Sequence, residues 1–315
     1  MRIAVIGAGA VGGALAARLA GSGHAVAVTA RGAHLAAIEQ GGIHLRGAWG
    51  SIDAAVTASA VLESTPEIAI IATKAQDAAA AIRDNARHLQ GIPVLVVQNG
   101  LEGIATGRRE LPISVVSGGL AMFAANYLRP GEITVTADGP TFVGGDGAAW
   151  IASALPELEF QVVRDFAGAQ WSKLVVNQVN ALPAITGMSV QEVVATPRLL
   201  RLLTLSMRET VGIGLASKVR FASVSGLSHG LLRAFAVAPL WIGQLLPRLM
   251  ARRMGSVPNL GSTLQSIKRG QLSEIDYLNG AVVDAAHAIG LEAPVNARLV
   301  SLVHEVERTG EFVQP

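Results

Sequence analysis

Cysteine is absent from all 315 residues of the sequence. The chain therefore has no disulfide, no thiolate metal site and no cysteine nucleophile, and its composition is compatible with a reducing cytoplasm, where we expect it to act. The histidines are too scattered to predict a metal site, because metal ligands recur at short, regular spacings. We interpret each as a surface histidine or a hydrogen-bonded core histidine: His24, His34, His44, His88, His229, His287 and His304.

Charged residues and long apolar runs are also scarce. Only 15% of the residues are charged and the net charge is +2. The arginines at Arg248, Arg252 and Arg253 have no aromatic residues between them, so we predict no nucleic-acid partner. The longest uncharged runs, residues 111–128 and 174–191, are interrupted by proline, glycine and asparagine, which predicts no membrane partner. Half of the residues are apolar and 35 are glycine, which favours an α/β protein long enough for two domains.

A glycine motif follows the first apolar stretch of the chain. Residues 3–6 predict a short buried strand and residues 14–19 a helix, with the pattern G-x-G-x-x-G between them. In this context the first glycine permits a tight turn, the second admits a pyrophosphate close to the backbone, and the third lets helix and strand pack closely. The helix N-terminus also supplies amide donors and a positive potential for phosphates. The pattern predicts a dinucleotide site at Gly7, Ala8, Gly9, Ala10, Val11 and Gly12.

The second predicted strand, residues 25–29, ends without an acidic residue. Rossmann sites that prefer NAD usually carry Asp or Glu about 20 residues after the glycines, where it binds the ribose hydroxyls. This chain has Arg31 instead, and a guanidinium can pair with a 2′-phosphate. Arg31 therefore favours NADP over NAD, the alternative being an ordinary exposed arginine.

Two further buried strands are predicted at residues 67–73 and 94–97. They end at Lys74 and at Gln98-Asn99-Gly100. Because ligands of open α/β sheets bind beyond the carboxyl ends of the strands, Lys74 and Asn99 are candidate contacts to a cofactor or substrate. Residues 133–136 and 141–143, joined by Asp138-Gly139, predict an antiparallel hairpin that closes the domain.

From about residue 168 the pattern becomes almost continuously helical. At about 100° per residue, Lys173, Asn177 and Asn180 fall within a roughly 60° arc of one predicted helix face. A lysine with two amides on a largely apolar helix indicates either a solvated edge or a functional site. Ser262 is the expected N-cap of a later helix, and Glu274 is expected in the first turn of the next one, where the helix dipole favours an acid.

A long apolar passage, residues 231–250, lies within the helical half. Core packing or a subunit interface explains it better than membrane contact, because Pro239 and Pro247 interrupt it and only 14 uncharged residues separate Arg233 from Arg248. The surplus of apolar residues over positions 215–255 leads us to expect a homodimer formed through the helical domain.

Taken together, these residues resemble the ketopantoate reductases (2-dehydropantoate 2-reductases). The shared motifs follow the family's order over nearly the whole chain: the glycine motif at 7–12, Arg31, Lys74, Gln98-Asn99-Gly100, Lys173-Leu-x-x-Asn177, Asn259-x-x-Ser262 and Glu274-Ile-Asp-Tyr-x-Asn-Gly280. The resemblance implies an α/β fold with an N-terminal Rossmann NADP-binding domain, residues 1–167. It also implies a C-terminal all-helical domain for substrate and dimerisation, residues 168–315, similar to the C-terminal domain of 6-phosphogluconate dehydrogenase. The implied reaction is NADPH-dependent reduction of 2-dehydropantoate to pantoate, a step towards pantothenate and coenzyme A.

The resemblance also implies roles for individual residues. Lys173 would be the catalytic lysine, with Glu274 beside it and near the nicotinamide. The substrate contacts would be Asn99, Lys173, Asn177, Asn180, Asn259 and Ser262. The cofactor contacts, besides the glycine motif, would be Arg31, Lys74, Asn99, Glu274 and the backbone of Ala125.

The chemistry of a ketone reduction fits the pair of Lys173 and Glu274. Negative charge builds on the ketone oxygen, so the site needs a cation or hydrogen-bond donor and a proton source, and a lysine supplies both. A carboxylate would orient the ammonium and keep it charged. The presence of both residues disfavours a non-catalytic dinucleotide sensor. A related NAD(P)-dependent 2-hydroxy acid dehydrogenase, acting on another branched 2-oxo acid, would keep both.

One spacing departs from the family pattern. The family's second asparagine usually stands eight residues after the lysine, whereas Asn180 stands seven after Lys173 and position 181 is alanine. One residue along a helix rotates a side chain by about 100° and shifts it by roughly 1.5 Å. We therefore expect either that Asn180 reaches the site from a different angle or that the helix is locally distorted.

Overall fold

A computed structural model describes residues 1–224, 226–255 and 257–314 of the chain. The chain divides into two compact units, Met1–Phe166 and a second unit from Ala167 onward. The sequence pattern put this division between residues 167 and 168, where strands give way to helices.

The first unit alternates strands with helices. Its strands are β1 Arg2–Ile6, β2 Ala25–Thr29, β3 Ile43–Gly47, β4 Ile52–Ala54, β5 Thr57–Ser59, β6 Ile68–Ile71, β7 Val94–Val97, β8 Val116–Ala121, β9 Ala124–Arg129, β10 Glu132–Ala137, β11 Thr141–Gly144 and β12 Gln161–Val162. Its helices are α1 Ala10–Gly21, α2 Gly32–Gly41, α3 Ala75–Leu89, α4 Gly103–Glu110 and α5 Ala148–Ala154.

The main sheet of the described chain has eight strands in the order β12-β11-β8-β7-β6-β1-β2-β5. From β5 to β8 all neighbours are parallel, and β11 joins β8 in antiparallel orientation. Strands β1, β6 and β7 are almost wholly buried, as expected of a parallel sheet covered on both faces. Because the chain order reverses beside β1, the carboxyl end of β1 lies at the point where such sheets bind ligands. The predicted Rossmann architecture is confirmed.

The predicted hairpin around Asp138-Gly139 is wrong. In the described chain β10 pairs with β3 and β9, in a second sheet of order β4-β3-β10-β9, whereas β11 pairs with β8 in the main sheet. A two-residue Asp-Gly hairpin turn requires positive φ, and Gly139 does not adopt it. The Asp138 carboxylate instead accepts a hydrogen bond from Trp49 Nε1 at 2.7 Å. The chain is thus held where it crosses from one sheet to the other.

Within the described residues of the second unit the regular elements are helices, as predicted, and an isolated β-bridge joins Val224 to Leu227. Its helices are α6 Phe166–Asn177 (which starts at the last residue of the first unit), α7 Ala181–Thr186, α8 Val190–Ala195, α9 Pro197–Ala216, α10 His229–Val237, α11 Leu240–Gly243, α12 Leu245–Arg253, α13 Gly261–Lys268, α14 Ile275–Ala288 and α15 Pro294–Thr309, with a 3₁₀ turn at Gln178–Asn180. The 20-residue helix α9 packs against α8, α10, α14 and α15. Its apolar face therefore forms the middle of this unit's core.

The apolar passage at 231–250 is split among α10, α11 and α12. Leu232 and Phe235 are buried, so core packing explains part of the passage. Val237, Trp241 and Leu245 are 84%, 70% and 55% exposed, so core packing does not explain these three side chains. No helix within residues 1–224, 226–255 or 257–314 combines the length and apolar character needed to cross a bilayer.

Candidate active site

The glycine motif forms a tight turn between β1 and α1. Gly7 has φ of +94°, a conformation that side chains rarely adopt. A Cβ on Gly12 would collide with the carbonyl oxygen of Gly7, so only glycine allows the helix to approach the turn this closely. A Cβ on Gly9 would meet nothing within 4 Å. Open space at the second glycine and crowding at the other two is the pattern expected of a pyrophosphate-binding turn.

The N-terminus of α1 is available to an anion. Gly9 is its N-cap residue, no side chain caps it, and its first turn contains no acid. The first amides of a helix lack intrahelical partners and carry the positive end of the helix dipole. The six predicted residues from Gly7 to Gly12 thus lie together at one helix terminus, which is a ready phosphate site.

Two residues that the sequence analysis did not assign hold this turn in place. The Thr29 hydroxyl oxygen accepts from the Gly7 N–H at 3.0 Å. His34 is buried, its Nδ1 accepts from the Gly131 N–H at 3.0 Å, and its Nε2 lies 2.6 Å from the Ala8 carbonyl oxygen. Because Nδ1 accepts, Nε2 carries the proton and donates to Ala8. The only signal in the sequence is a threonine at the end of β2, which is too common to identify the contact.

Arg31 lies at the corner between β2 and α2, where it is the N-cap residue. Its guanidinium is exposed and lies 3.8 Å from the carboxylate of Asp84 on α3. An exposed ion pair at this distance is weak and exchanges readily with another anion. Arg31 is therefore available at the strand end where the sequence analysis expected it.

Lys74 and Asn99 follow the adjacent parallel strands β6 and β7. Lys74 is the N-cap residue of α3, and both side chains are half-buried. Gln98 Nε2 donates to the Thr73 carbonyl at 2.9 Å and ties the two loops together. Ala125 is placed differently, on β9 of the second sheet, opposite Val135. Two of the predicted contacts therefore share one edge of the main sheet, and Ala125 lies on the neighbouring sheet.

Lys173 and Glu274 interact within the helical unit. Lys173 is half-buried on α6, and burial lowers its pKa to about 8, while the negative charge of Glu274 raises that pKa and partly offsets the burial. Glu274 is the residue before α14 rather than part of its first turn, and its side chain does not cap the helix. The position expected for Glu274 was wrong by one residue, and at the N-cap position the positive end of the helix dipole still favours a carboxylate.

The lysine-bearing helix changes geometry after Asn177. Helix α6 ends there and residues 178–180 form a 3₁₀ turn, so the local distortion expected from the Lys173–Asn180 spacing is confirmed. Asn180 is buried, and its Oδ1 accepts from the Ser262 N–H at 3.2 Å. The polar stripe therefore consists of Lys173 and Asn177 on α6, with Asn180 on a tighter turn beyond it.

Asn259 and Ser262 lie at the start of α13. The N-cap residue is Leu260, so the prediction of Ser262 as the N-cap is wrong. Asn259 Oδ1 accepts from the Gly261 N–H at 2.9 Å, and Asn180 serves the next amide, that of Ser262. The two asparagine oxygens thus accept hydrogen bonds from the first amides of α13, as an N-cap side chain would. The Ser262 side chain is exposed.

The helical unit therefore presents a lysine whose pKa is lowered to about 8, a carboxylate that acts on it, and several amide and hydroxyl side chains. Such a lysine can exchange a proton and can stabilise a developing oxyanion. Among the described side chains, no three His, Asp or Glu residues come together in a way that could hold a metal ion.

Comparisons with known proteins match both halves of the chain. A family model described as "Ketopantoate reductase PanE/ApbA" matches residues 3–146, and one described as "Ketopantoate reductase PanE/ApbA C terminal" matches residues 165–307. The 2-dehydropantoate 2-reductase of Pyrococcus horikoshii is 27% identical, over 98% of this chain and 99% of that protein. That of Archaeoglobus fulgidus is 26% identical, over 97% of this chain and 98% of that protein.

Solved structures agree with these matches. The PanE/ApbA family ketopantoate reductase of Ralstonia eutropha JMP134 has a TM-score of 0.83 and 27% identity, over 98% of this chain and 99% of that one. D-mandelate dehydrogenase, solved with NADH and anilino(oxo)acetate, has a TM-score of 0.84 at 20% identity, over 98% of this chain and 99% of that one, which is a likeness of fold alone. Because family models match the Rossmann and the helical half in order, this chain belongs to the ketopantoate reductases, a family of oxidoreductases that act on CH-OH groups.

Proposed function

We propose that this protein reduces 2-dehydropantoate to pantoate with NADPH, a step towards pantothenate and coenzyme A, and that Lys173 is the general acid. The observation that carries the proposal is the environment of Lys173, whose pKa of about 8 leaves it mostly protonated at neutral pH yet able to release its proton. The family to which the chain belongs supports the reaction class.

The cofactor we propose is a nicotinamide dinucleotide, and NADPH in preference to NADH. The residues fit this group: the open space at Gly9 and the uncapped start of α1 suit a pyrophosphate, and the exposed guanidinium of Arg31 suits a 2′-phosphate. Lys74, Asn99 and the backbone of Ala125 would complete its binding, and Glu274 would lie near its nicotinamide end. When bound, the cofactor supplies the hydride that the ketone carbon receives.

Lys173 acts on the ketone oxygen. Its ammonium stabilises the negative charge that builds there and then passes a proton to the oxygen. Glu274 raises the pKa of Lys173 and so keeps more of it charged against the effect of burial. Positioned proton transfer of this kind is typically worth about 10²–10⁴ in rate.

The amides around Lys173 suit the carboxylate of a 2-oxo acid. Asn180 and Asn259 each use their side-chain oxygen on a backbone N–H of α13. Each of these asparagines still has two N–H groups to offer a ligand. Two such donors match an anion, while Asn99, Asn177 and Ser262 would bind the remaining polar groups of the substrate.

The shortened spacing to Asn180 favours a second candidate within the same chemistry. A different branched 2-oxo acid, reduced by the same Lys173 and Glu274, would suit a site whose second asparagine lies on a 3₁₀ turn and points at a changed angle. The reaction class would then stand and the substrate would change.

The test is NADPH oxidation followed by absorbance, with 2-dehydropantoate and then with a panel of branched 2-oxo acids. We expect turnover with NADPH, far less with NADH, and a loss of at least about a hundredfold in Lys173→Met. Lys268→Met is the matched control, because Lys268 is exposed at the end of α13 and should leave the rate unchanged. If only another 2-oxo acid is reduced, the assignment of 2-dehydropantoate as the substrate is wrong. If Lys173→Met keeps full activity, the role of Lys173 as general acid is wrong.

The proposal extends to a homodimer formed through the exposed apolar side chains Val237, Trp241 and Leu245. Arg248 and Arg252 are also exposed on α12, so two copies would bring like charges to the rim of an apolar contact. Because salt screens exposed charges, dimerisation should strengthen as ionic strength rises.

Light scattering after gel filtration should show a dimer that Trp241→Glu disrupts. Trp150→Glu, at an exposed site on α5, should leave the dimer intact. A monomeric wild type at high salt would contradict the dimer.

A further inference from the structure

Four polar side chains form a fully buried group in the helical unit, which we call the amide cluster: Gln178, Ser206, Asn279 and Asn296. Asn279 Nδ2 donates to Gln178 Oε1 at 2.7 Å and to Asn296 Oδ1 at 2.8 Å. The Ser206 hydroxyl lies 2.8 Å from Gln178 Oε1 and 3.0 Å from Asn296 Oδ1. One hydroxyl proton serves only one of these oxygens at a time, so Asn279 is the main donor in the cluster.

The cluster connects the elements that carry Lys173 and Glu274. Gln178 follows directly after α6, and its Nε2 donates to the carbonyl of Leu174, the residue after Lys173, at 3.0 Å. Asn279 stands on α14, five residues after Glu274. A continuous path of hydrogen bonds therefore runs from the backbone beside Lys173 to the helix that begins directly after Glu274.

Glu209 on α9 fixes the orientation of every amide in the cluster. Its carboxylate accepts from Asn296 Nδ2 at 2.7 Å and from the backbone N–H groups of Val295 and Asn296 at 3.1 and 2.7 Å. A carboxylate only accepts, so Asn296 must turn its oxygen towards Asn279. Asn279 must then present its nitrogen, and Gln178 its oxygen. The nitrogen of Gln178 is left to bond the α6 backbone.

In the described structure the amide of Asn279 bonds through its nitrogen and not through its oxygen. Within the described part of the chain, Asn279 Oδ1 is buried and has no hydrogen-bond partner. A buried carbonyl oxygen without a partner is destabilising, but an apolar side chain here would leave Gln178 Oε1 and Asn296 Oδ1 to share the single hydroxyl proton of Ser206. What the amide provides is direction: its two donated hydrogen bonds, to Gln178 and to Asn296, favour one arrangement of the elements that they join.

We propose that Gln178 and Asn279 are positioning residues, which hold α6 and α14 in the arrangement that brings Glu274 to bear on Lys173. They touch neither substrate nor cofactor and act through the amide cluster. The inference rests on the proposed function, in which Lys173 and Glu274 work as a pair. It assigns a role to the asparagine of the Glu274–Gly280 motif.

The first test is Asn279→Leu, which removes both donated hydrogen bonds at similar volume. Misplaced catalytic groups lose rate steeply, so we expect kcat to fall by about tenfold or more with an unchanged KM for NADPH. We also expect the basic limb of the kcat profile to move to lower pH, because Glu274 raises the pKa of Lys173 and a disturbed cluster no longer holds Glu274 beside it. Thr204→Val is the control: Thr204 is buried on α9 and its hydroxyl donates to Leu200 within that helix.

The second test needs no substrate. The chain has four lysines, Lys74, Lys173, Lys218 and Lys268, so labelling with an amine reagent across pH, read by peptide mass spectrometry, reports each separately. In the wild type Lys173 should reach half-maximal reactivity near pH 8, and in Asn279→Leu its midpoint should fall while the other three stay fixed.

The outcomes separate the two proposals. If folded Asn279→Leu matches Thr204→Val in kcat and in the Lys173 labelling midpoint, Asn279 is merely structural and the positioning role is wrong. If the midpoint of Lys173 moves but the wild type reduces no 2-oxo acid, the positioning role stands and the proposed function fails. If Asn279→Leu does not fold, Ser206→Ala replaces it, since it removes the weaker donor to Gln178. A smaller shift in the same direction would support the role, and no shift would overturn it.

Discussion

The rate of ketone reduction should fall as the pH rises through about 8, because a general acid works only in its protonated form. Burial, partly offset by Glu274, sets the pKa of Lys173 at about 8. The protonated fraction is then about nine-tenths at pH 7 and about one-tenth at pH 9. We therefore expect kcat to fall about tenfold over these two pH units. A lysine at the ordinary pKa of 10.5 would give a flat profile over the same range.

The perturbation that tests this reasoning is Glu274→Gln. The amide keeps the size of the side chain and removes the charge that raises the pKa of Lys173, so the midpoint of the profile should move below 8. Oxidation of the hydroxy acid needs the neutral amine and should show the mirror image, a rate that rises through the same midpoint. Asp276→Asn is the matched control, because it removes an exposed carboxylate of α14 that pairs with His304.

The assay is the initial rate at saturating substrate and cofactor, measured at constant ionic strength, with a deuterated cofactor to verify that hydride transfer limits the rate at each pH. Two results would refute the reasoning. One is a wild-type profile that stays flat to well above pH 9. The other is a Glu274→Gln profile whose midpoint moves upward, or whose downward shift is also seen in Asp276→Asn. Either outcome would show that Glu274 is not the group that keeps Lys173 charged.

Three further predictions concern the glycine turn, Arg31 and a helix cap. Gly9→Ala should leave thermal stability unchanged but abolish NADPH binding, because the added Cβ would occupy the open space proposed for the pyrophosphate. Gly12→Ala should also destabilise the fold, because its Cβ would clash with the Gly7 carbonyl oxygen. Calorimetry measures the stability of each variant, and cofactor titration measures its binding of NADPH. Arg31→Ala should raise the KM for NADPH by about tenfold or more and leave the KM for NADH unchanged, since NADH has no 2′-phosphate; equal losses would contradict the 2′-phosphate contact. Ser189→Ala should lower the free energy of unfolding by about 1 kcal/mol, because Ser189 and Glu192 form a capping box on α8; an unchanged denaturation midpoint would contradict this.

The Rossmann half was predictable because its signals are local. Each buried strand is a short apolar run, and the crowding at Gly7 and Gly12 is a backbone requirement that only glycine meets, so it appears in the sequence as a fixed spacing. Strand pairing across sheets is not local. Residues 133–136 and 141–143 have the composition of a hairpin, but the backbone at Gly139 lacks the positive φ that would turn one strand onto the other.

Contacts in the helical unit were harder to predict, and the roles expected of its residues stay predictions. Lys173 and Glu274 were paired through a family resemblance, because 101 residues separate them and periodicity says nothing at that range. The capping of α13 was missed for the same reason, since Asn180 reaches the Ser262 amide from 82 residues away. Long-range hydrogen bonds of this kind are specified by tertiary packing, and no local pattern in the sequence records them.

The shortened spacing after Lys173 and the 3₁₀ turn at Gln178–Asn180 are two parts of one adjustment. In an unbroken α-helix a residue eight positions after the lysine lies about 12 Å along the axis and about 80° around it. Four α-helical steps followed by three 3₁₀ steps, at about 2.0 Å and 120° each, also reach about 12 Å and come to about 40°. Seven α-helical steps alone would fall short along the axis and stop about 20° on the other side of Lys173. The tight turn therefore restores the axial position of the asparagine and most of its angle, and it brings Asn180 into line with Asn177. A chain that lacks one residue in this helix can thus keep both asparagines on the lysine's side.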